Sequence, residues 1–314
     1  MGVCLLNMGS DLENYLLILK DEVSGSDFMP KRSFLPGVNL SIIGAGALML
    51  RGMAQQEADR LVAESIEQGV NYFDAAPSYG DGESEEKLGR ALEPYRPRVF
   101  LACKTLQRSA AGARLDLEQS LRRLRTPTLD LYQFHAIQRA EDLQYIFSPH
   151  GAMEAVLRAR DEGLIRFIGF SSHSVPLAVE MMNRFRFDSL LFPVNYVCYA
   201  RGDFGPQVVE SARRLGVARV ALKALALRPW KRAEARTYPN CWYRPIDDPR
   251  LALQAIRFTL SEDVSALLPP ADARLYRMAL ALARYVTPLS PEDRRGLLAG
   301  ARSLKPIMTA KRKS

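Results

Sequence analysis

The chain has 314 residues, 47% of them hydrophobic and 25% charged, with a formal net charge of +8. That composition supplies a substantial core and excludes a chain disordered throughout. Lys and Arg are scattered in short clusters such as Arg122-Arg123 and Lys311-Arg312-Lys313, so the charge reads as solvated surface plus a phosphate site, with nucleic-acid binding a minor alternative.

Residues 1–28 match no element of the pattern that follows, and Met29-Pro-Lys-Arg32 has the character of a natural start, so this segment is expected to be a flexible extension. Its apolar run at 15–19 comes after Asp11 and Glu13, the wrong charge order for a signal peptide. No run reaches the ~18 apolar residues of a membrane span, and a cytoplasmic location is expected. Eight short apolar runs then recur, at 41–46, 71–75, 99–104, 129–135, 166–171, 190–195, 218–223 and 264–269. Near-continuous apolar runs of this kind are read as buried parallel strands. Amphipathic helical segments separate them: Ala58, Leu61, Val62 and Ile66 share one face, Leu117, Leu121 and Leu124 another, Ala152, Val156 and Ala159 a third. Strict alternation predicts a parallel sheet, and eight repeats predict a closed α/β architecture, a (β/α)8 barrel over residues 29–314. Helical patterns at 274–285 and 291–304 close it, and an irregular stretch at 228–250 with both tryptophans follows the seventh run.

Cys4, Cys103, Cys198 and Cys241 are far apart, without metal-ligand spacing, so neither a metal site nor a disulfide framework is expected. Gly44-Ala-Gly46 lacks the third glycine of a dinucleotide fingerprint, since Met49 stands there. It is read as the first strand turning toward a cofactor-facing loop.

Polar residues fall at the strand ends: Asp74, Lys104, His135, Ser171, Asn195 and Lys223 terminate runs two to seven. Barrel chemistry sits at those ends, so these side chains should converge on one mouth. Singly, Asp74 reads as a loop cap, Lys104 as a surface amine and His135 as a hydrogen-bonded core residue; three at successive strand ends favour a site. Tyr79 lies five residues beyond Asp74. A phenol with pKa near ~10 becomes a usable acid when an ammonium stabilises its phenolate. Lys104 would supply that charge, Asp74 would orient Lys104, and His135 would direct the substrate oxygen.

These residues carry a resemblance. Gly69-Val-Asn-Tyr-Phe-Asp74-Ala-Ala-Pro-Ser-Tyr79-Gly, followed by Glu83-Ser-Glu-Glu-Lys-Leu-Gly-Arg-Ala-Leu92, closely resembles the signature of the aldo-keto reductases. The likeness continues through Cys103-Lys-Thr105, Leu129-Asp-Leu-Tyr-Gln-Phe-His135 and Ile165-Arg-Phe-Ile-Gly-Phe-Ser-Ser-His173. It implies a barrel with Asp74, Tyr79, Lys104 and His135 as catalytic tetrad, a nicotinamide cofactor, and Ser171, Ser172 and Asn195 around its carboxamide. Lys223 and Arg274 are counted with them as cofactor contacts.

Three features depart from the family. Ser172 stands where Asn is frequent, Leu222 where many members stack an aromatic ring on the nicotinamide, and Pro270-Ala271 where Lys and Ser commonly take the 2′-phosphate. Arg274 remains as phosphate partner, with Arg277 second, so NADP(H) is expected and NAD(H) is left open. The pattern is similar to a bacterial branch in which some members carry a C-terminal ferredoxin-like module; no cysteine follows Cys241, so that module is expected to be absent. The expected activity is reduction of a small-molecule aldehyde or ketone, or oxidation of the matching alcohol. The alternative is a cofactor-binding regulatory subunit of the same fold. His173 is read as a helix-start hydrogen bond and His150 as surface. Trp230, Trp242 and Tyr243 divide between pocket wall and loop packing.

Overall fold

The computed structural model describes residues 3–22 and 28–310, with side chains at 9–20 and 28–310; Cys4 and the Lys311-Arg312-Lys313 cluster lie outside the described side chains. The chain opens with helix α1 (Val3–Glu22) and a hairpin, β1 (Lys31–Leu35) and β2 (Val38–Ser41). Strand–helix units follow: β3 (Ala45–Gly46) and α2 (Gln55–Glu67), β4 (Tyr72–Asp74) and α3 (Glu83–Leu92), β5 (Phe100–Thr105) and α4 (Ala110–Arg123). Next come β6 (Leu129–Ile137) with α5 (Ala140–Ile146) and α6 (Ala152–Asp161), then β7 (Ile165–Ser172) with α7 (Val175–Arg184). β8 (Ser189–Pro193) leads into α8 (Tyr196–Gly202) and α9 (Pro206–Arg214). β9 (Ala218–Leu222) leads through a second hairpin, β10 (Ala226–Pro229) and β11 (Tyr243–Pro245), to α10 (Pro249–Ser261). Finally β12 (Ala266–Leu268) precedes α11 (Ala273–Ala283) and α12 (Pro291–Gly300).

Strands β3 to β9 (without the hairpins) and β12 pair in parallel, and a bridge between Ile43 and Leu267 joins the two edges. The amide of Gly44 donates to Leu267 O at 2.9 Å across that seam. The result is a (β/α)8 barrel, and each of the eight runs read from the sequence contributes a strand. No described helix is long and apolar enough to cross a membrane.

Period-two alternation divides the strand residues between two apolar environments. Phe73, Leu101, Cys103, Tyr132, Phe134, Ile168 and Phe170 pack outward against the helices. Tyr72, Phe100, Ala102, Leu131, Leu191, Val220 and Leu268 fill the barrel, where Phe34, Leu35 and Leu40 of the first hairpin plug the lower end. Cys103 therefore faces away from Lys104, as the alternation requires. Gly44 is demanded by this packing: a Cβ there would stand 2.4 Å from the Tyr72 ring.

The N-terminal segment differs from expectation. Sequence reading found no element in residues 1–28, yet residues 3–22 are helical. Leu12, Tyr15, Leu16 and Leu19 recur at i, i+3, i+4 and i+7, the spacing of an apolar stripe, and Leu19 is buried while the other three pack on the core. Arg250 of α10 lies 5.4 Å over the Tyr15 ring. The stripe was overlooked because it precedes the β-α repeat and shares none of its rhythm. Removal of residues 1–22 is accordingly expected to destabilise the barrel by roughly 2–3 kcal/mol, the scale of one fully buried leucine, and to lower Tm by several degrees. An unchanged calorimetric melting curve would show that the helix adds nothing to stability.

Candidate active site at the barrel mouth

The last inward-facing residue of each strand defines the mouth. Asp74 ends β4, and Lys104 projects inward from β5 beside it; both are buried, and they form an ion pair through Lys104 Nζ and Asp74 Oδ1. Lys104 Nζ also donates to Ala75 O at 2.8 Å. The other carboxylate oxygen accepts from Tyr72 Oη and from Gln133 Nε2, each at 3.1 Å. Asp74 is thus held on both oxygens. Burial alone would lower the Lys104 pKa, but the charge of Asp74 overcomes it and keeps the ammonium above its ordinary value.

Tyr79 lies over this pair, with Lys104 Nζ 5.1 Å from its ring centroid. Burial raises the Tyr79 pKa; the charge of Lys104 opposes the rise, and Asp74 adds to it. The net direction is upward, the reverse of what an isolated ammonium would produce, because burial, with Asp74 adding to it, outweighs the Lys104 charge. The phenol therefore stands protonated at neutral pH, in its donor form.

His135 faces Tyr79 edge-on, with ring centroids 5.9 Å apart at 85°. Its Nδ1 lies 3.4 Å from Ser78 Oγ. Burial, then the charge of Lys104, push its pKa well below 6.5, so the imidazole is neutral. The strand bulges just beyond it: Ala136 has φ 53, a costly left-handed conformation for a residue with a Cβ. Ser171 Oγ accepts from the Ala136 amide at 2.8 Å, and Arg108 donates to His135 O at 2.7 Å. These two contacts fix the direction of the imidazole.

The remaining expected residues lie on the neighbouring strand ends. Ser172 Oγ donates to Ile137 O at 2.7 Å. Asn195 caps α8, accepting from the amides of Val197 and Cys198, while its Nδ2 donates to Lys223 O at 3.0 Å and Ala226 O at 2.8 Å. Both ends of that amide are committed to backbone, so Asn195 shapes the turn after β9. Lys223 in that turn has φ 67, and its ammonium rests over the rings of Trp242 and Tyr243 at 5.5 and 5.0 Å. His173 does not make the helix-start bond read from the sequence: its Nδ1 is buried without a partner among the described residues. Burial and the Lys223 charge lower its pKa to about 4. His150 is exposed on the surface, as read.

A cleft runs from Asp74 and Tyr79 past Leu222 and Lys223 to Pro269, Pro270 and Ala271 beyond β12, with Trp242 and Tyr243 as one wall. Trp230 instead donates to Cys241 O at 2.8 Å and braces the loop. Arg274 stands in the first turn of α11, beyond Ala271. Its guanidinium takes both oxygens of Asp272, at 2.9 and 2.7 Å, donates to Thr237 O at 3.0 Å and covers the Tyr238 ring. Arg277 points elsewhere, pairing with Glu64 of α2 at 2.9 Å.

Does the cleft suit a nicotinamide dinucleotide? Gly46 lines its floor, and nothing lies within 4 Å of where a Cβ would stand. The missing side chain leaves room for an extended ligand, and Leu222 and Leu268 offer apolar faces to a flat ring. The residues fit the group. Tyr72 and Gln133, which anchor Asp74, were not singled out from the sequence. Each lies two residues before a member of the tetrad, so the strand period would have pointed to them.

Residues 42–243 match the sequence model of the Aldo/keto reductase family. Aldo-keto reductase YhdN of Bacillus subtilis is 34% identical over 167 residues, 48% of this chain and 47% of that protein. Methylglyoxal reductase YeaE of Escherichia coli is 37% identical over 106 residues, 32% of this chain and 37% of that one. The matches to these curated relatives thus span about half of their length or less. Among solved structures, the holo form of an aldo-keto reductase from Bacillus halodurans superposes with a TM-score of 0.70 at 23% identity, over 90% of this chain and all of that one, which shows a shared fold. The chain belongs to the aldo/keto reductase family.

Proposed function

We propose that the chain reduces aldehyde or ketone groups of small molecules with NADP(H), accepting NAD(H) less well, and that Tyr79 is the proton donor. The observation that carries this reading is the Asp74–Lys104 pair buried directly beneath the Tyr79 ring, with a neutral His135 set across it. When bound, the reduced nicotinamide supplies the hydride that a carbonyl carbon takes. His135 directs the carbonyl oxygen toward Tyr79. Tyr79 gives its proton to that oxygen as negative charge develops there, and Lys104 holds the resulting phenolate. Ser171 and Ser172 would take the carboxamide, and Arg274 would be the guanidinium for a 2′-phosphate.

The pairing of Arg274 with Asp272 limits how strongly a phosphate is favoured, because the guanidinium is already neutralised. A preference for NADPH within about tenfold, near 1 kcal/mol, is expected from one shared charge-assisted contact. The test is turnover of 4-nitrobenzaldehyde with each cofactor, accompanied by fluorescence titration of both into the wild type and Arg274→Ala. Turnover is expected with both, and the variant should lose the NADPH preference while keeping NADH affinity. No turnover with either cofactor would overturn the reductase reading in favour of a regulatory subunit. Equal losses for both cofactors would make Arg274 a latch for the loop at Thr237.

A further inference from the structure

Lys223 is the unbalanced charge of the mouth. It lines the cleft, and the cations discussed above each have a carboxylate: Lys104 has Asp74, Arg108 has Asp142 and Arg274 has Asp272. Among the described residues Lys223 has none; its ammonium rests only on the faces of Trp242 and Tyr243, a partial substitute for a counter-ion. The groups whose charges act on it or feel it do not supply one. His135 and His173 are neutral, and burial pushes the Cys241 thiol up to about 11, so it stays protonated. Asp74 shares the cleft, but both its oxygens are taken by Lys104, Tyr72 and Gln133.

The backbone holds Lys223 in this place against its own preference. A lysine at φ 67 is in a left-handed conformation that costs free energy for a residue with a Cβ, and such strain gathers at ligand sites. Asn195 enforces it by donating to the Lys223 carbonyl. Burial lowers the ammonium's pKa only to about 8, so it carries its charge at neutral pH. Position then indicates what kind of anion it meets. Lys223 lines the cleft together with Asp74 and Tyr79, the proton-donating end. Arg274 does not line that cleft and stands in α11, beyond Ala271. A single ammonium without a second cation or a guanidinium fork matches a singly charged group better than a dianion.

Resting on the reductase reading, we propose that Lys223, counted from the sequence as a cofactor contact, is instead the carboxylate-recognising residue of the substrate site, and that this chain prefers carbonyl substrates bearing a carboxylate. Trp242 and Tyr243 hold the ammonium in the cleft until the carboxylate arrives and then wall the organic part of the substrate.

The test compares 4-(hydroxymethyl)benzoate with 4-methylbenzyl alcohol, two product-like alcohols of similar shape, by calorimetry on the NADPH-loaded protein, where no turnover occurs. The wild type is expected to bind the carboxylate at least tenfold more tightly. Lys223→Met should abolish that ratio, and Lys223→Arg should retain most of it. The ratio of kcat/KM for 4-carboxybenzaldehyde over 4-methylbenzaldehyde should fall in parallel. Equal affinity for the two alcohols in the wild type would overturn the proposal. So would a Lys223→Met variant whose chief loss is NADPH affinity, which would assign the ammonium to the cofactor's phosphates. Discrimination by calorimetry without turnover of any aldehyde would instead sink the reductase reading and leave the carboxylate site standing.

Discussion

Tyr79→Phe is expected to lower kcat for aldehyde reduction by about 10²–10⁴-fold, the range a positioned general acid contributes. The substitution removes one oxygen and keeps the ring that packs over Lys104 and against His135. Cofactor affinity should therefore stay within about twofold, since the phenol's proton is needed only at the chemical step. Stopped-flow reduction and cofactor fluorescence titration measure the two quantities separately. Undiminished turnover would require another donor, and neutral His135 would be the first to examine. Lost turnover with lost cofactor binding would indicate a ring that shapes the cleft.

Lys104→Met should damage both stability and chemistry. Asp74 is buried, and removal of its cation leaves an uncompensated carboxylate whose remaining partners are Tyr72 and Gln133. Breaking a buried pair in this way costs about 3–5 kcal/mol, so Tm should fall by on the order of 10 °C. The double variant Asp74→Asn, Lys104→Met separates the two effects. It carries no unpaired charge and should regain most of the lost Tm, while activity stays low because nothing remains to hold the Tyr79 phenolate. Recovery of activity together with stability would mean that the pair is only a structural brace.

The mouth was legible in the sequence because the code for it is local. A strand end is marked by where an apolar run stops, so Asp74, Lys104 and His135 could be placed on one rim before any fold was known. Tyr79 followed from its distance to Asp74, and the outward side of Cys103 from the period of two. The same residues carry the family signature.

Other features depend on partners distant in the chain. Nothing near Arg277 in sequence predicts that it turns to Glu64, more than 200 residues earlier. Lys223 was only one more polar strand end until the second hairpin brought Trp242 and Tyr243 beneath its ammonium. Asn195, an expected carboxamide ligand by resemblance, has its amide drawn into the turn after β9, a contact set by strand adjacency. The sequence by itself determined the barrel, the order of its strands and the residues of its rim, because hydrophobic periodicity and strand ends are encoded within a few residues. Only the tertiary structure decided which charges are neutralised and which stand unpaired, because a charge's state depends on neighbours that folding alone brings within reach.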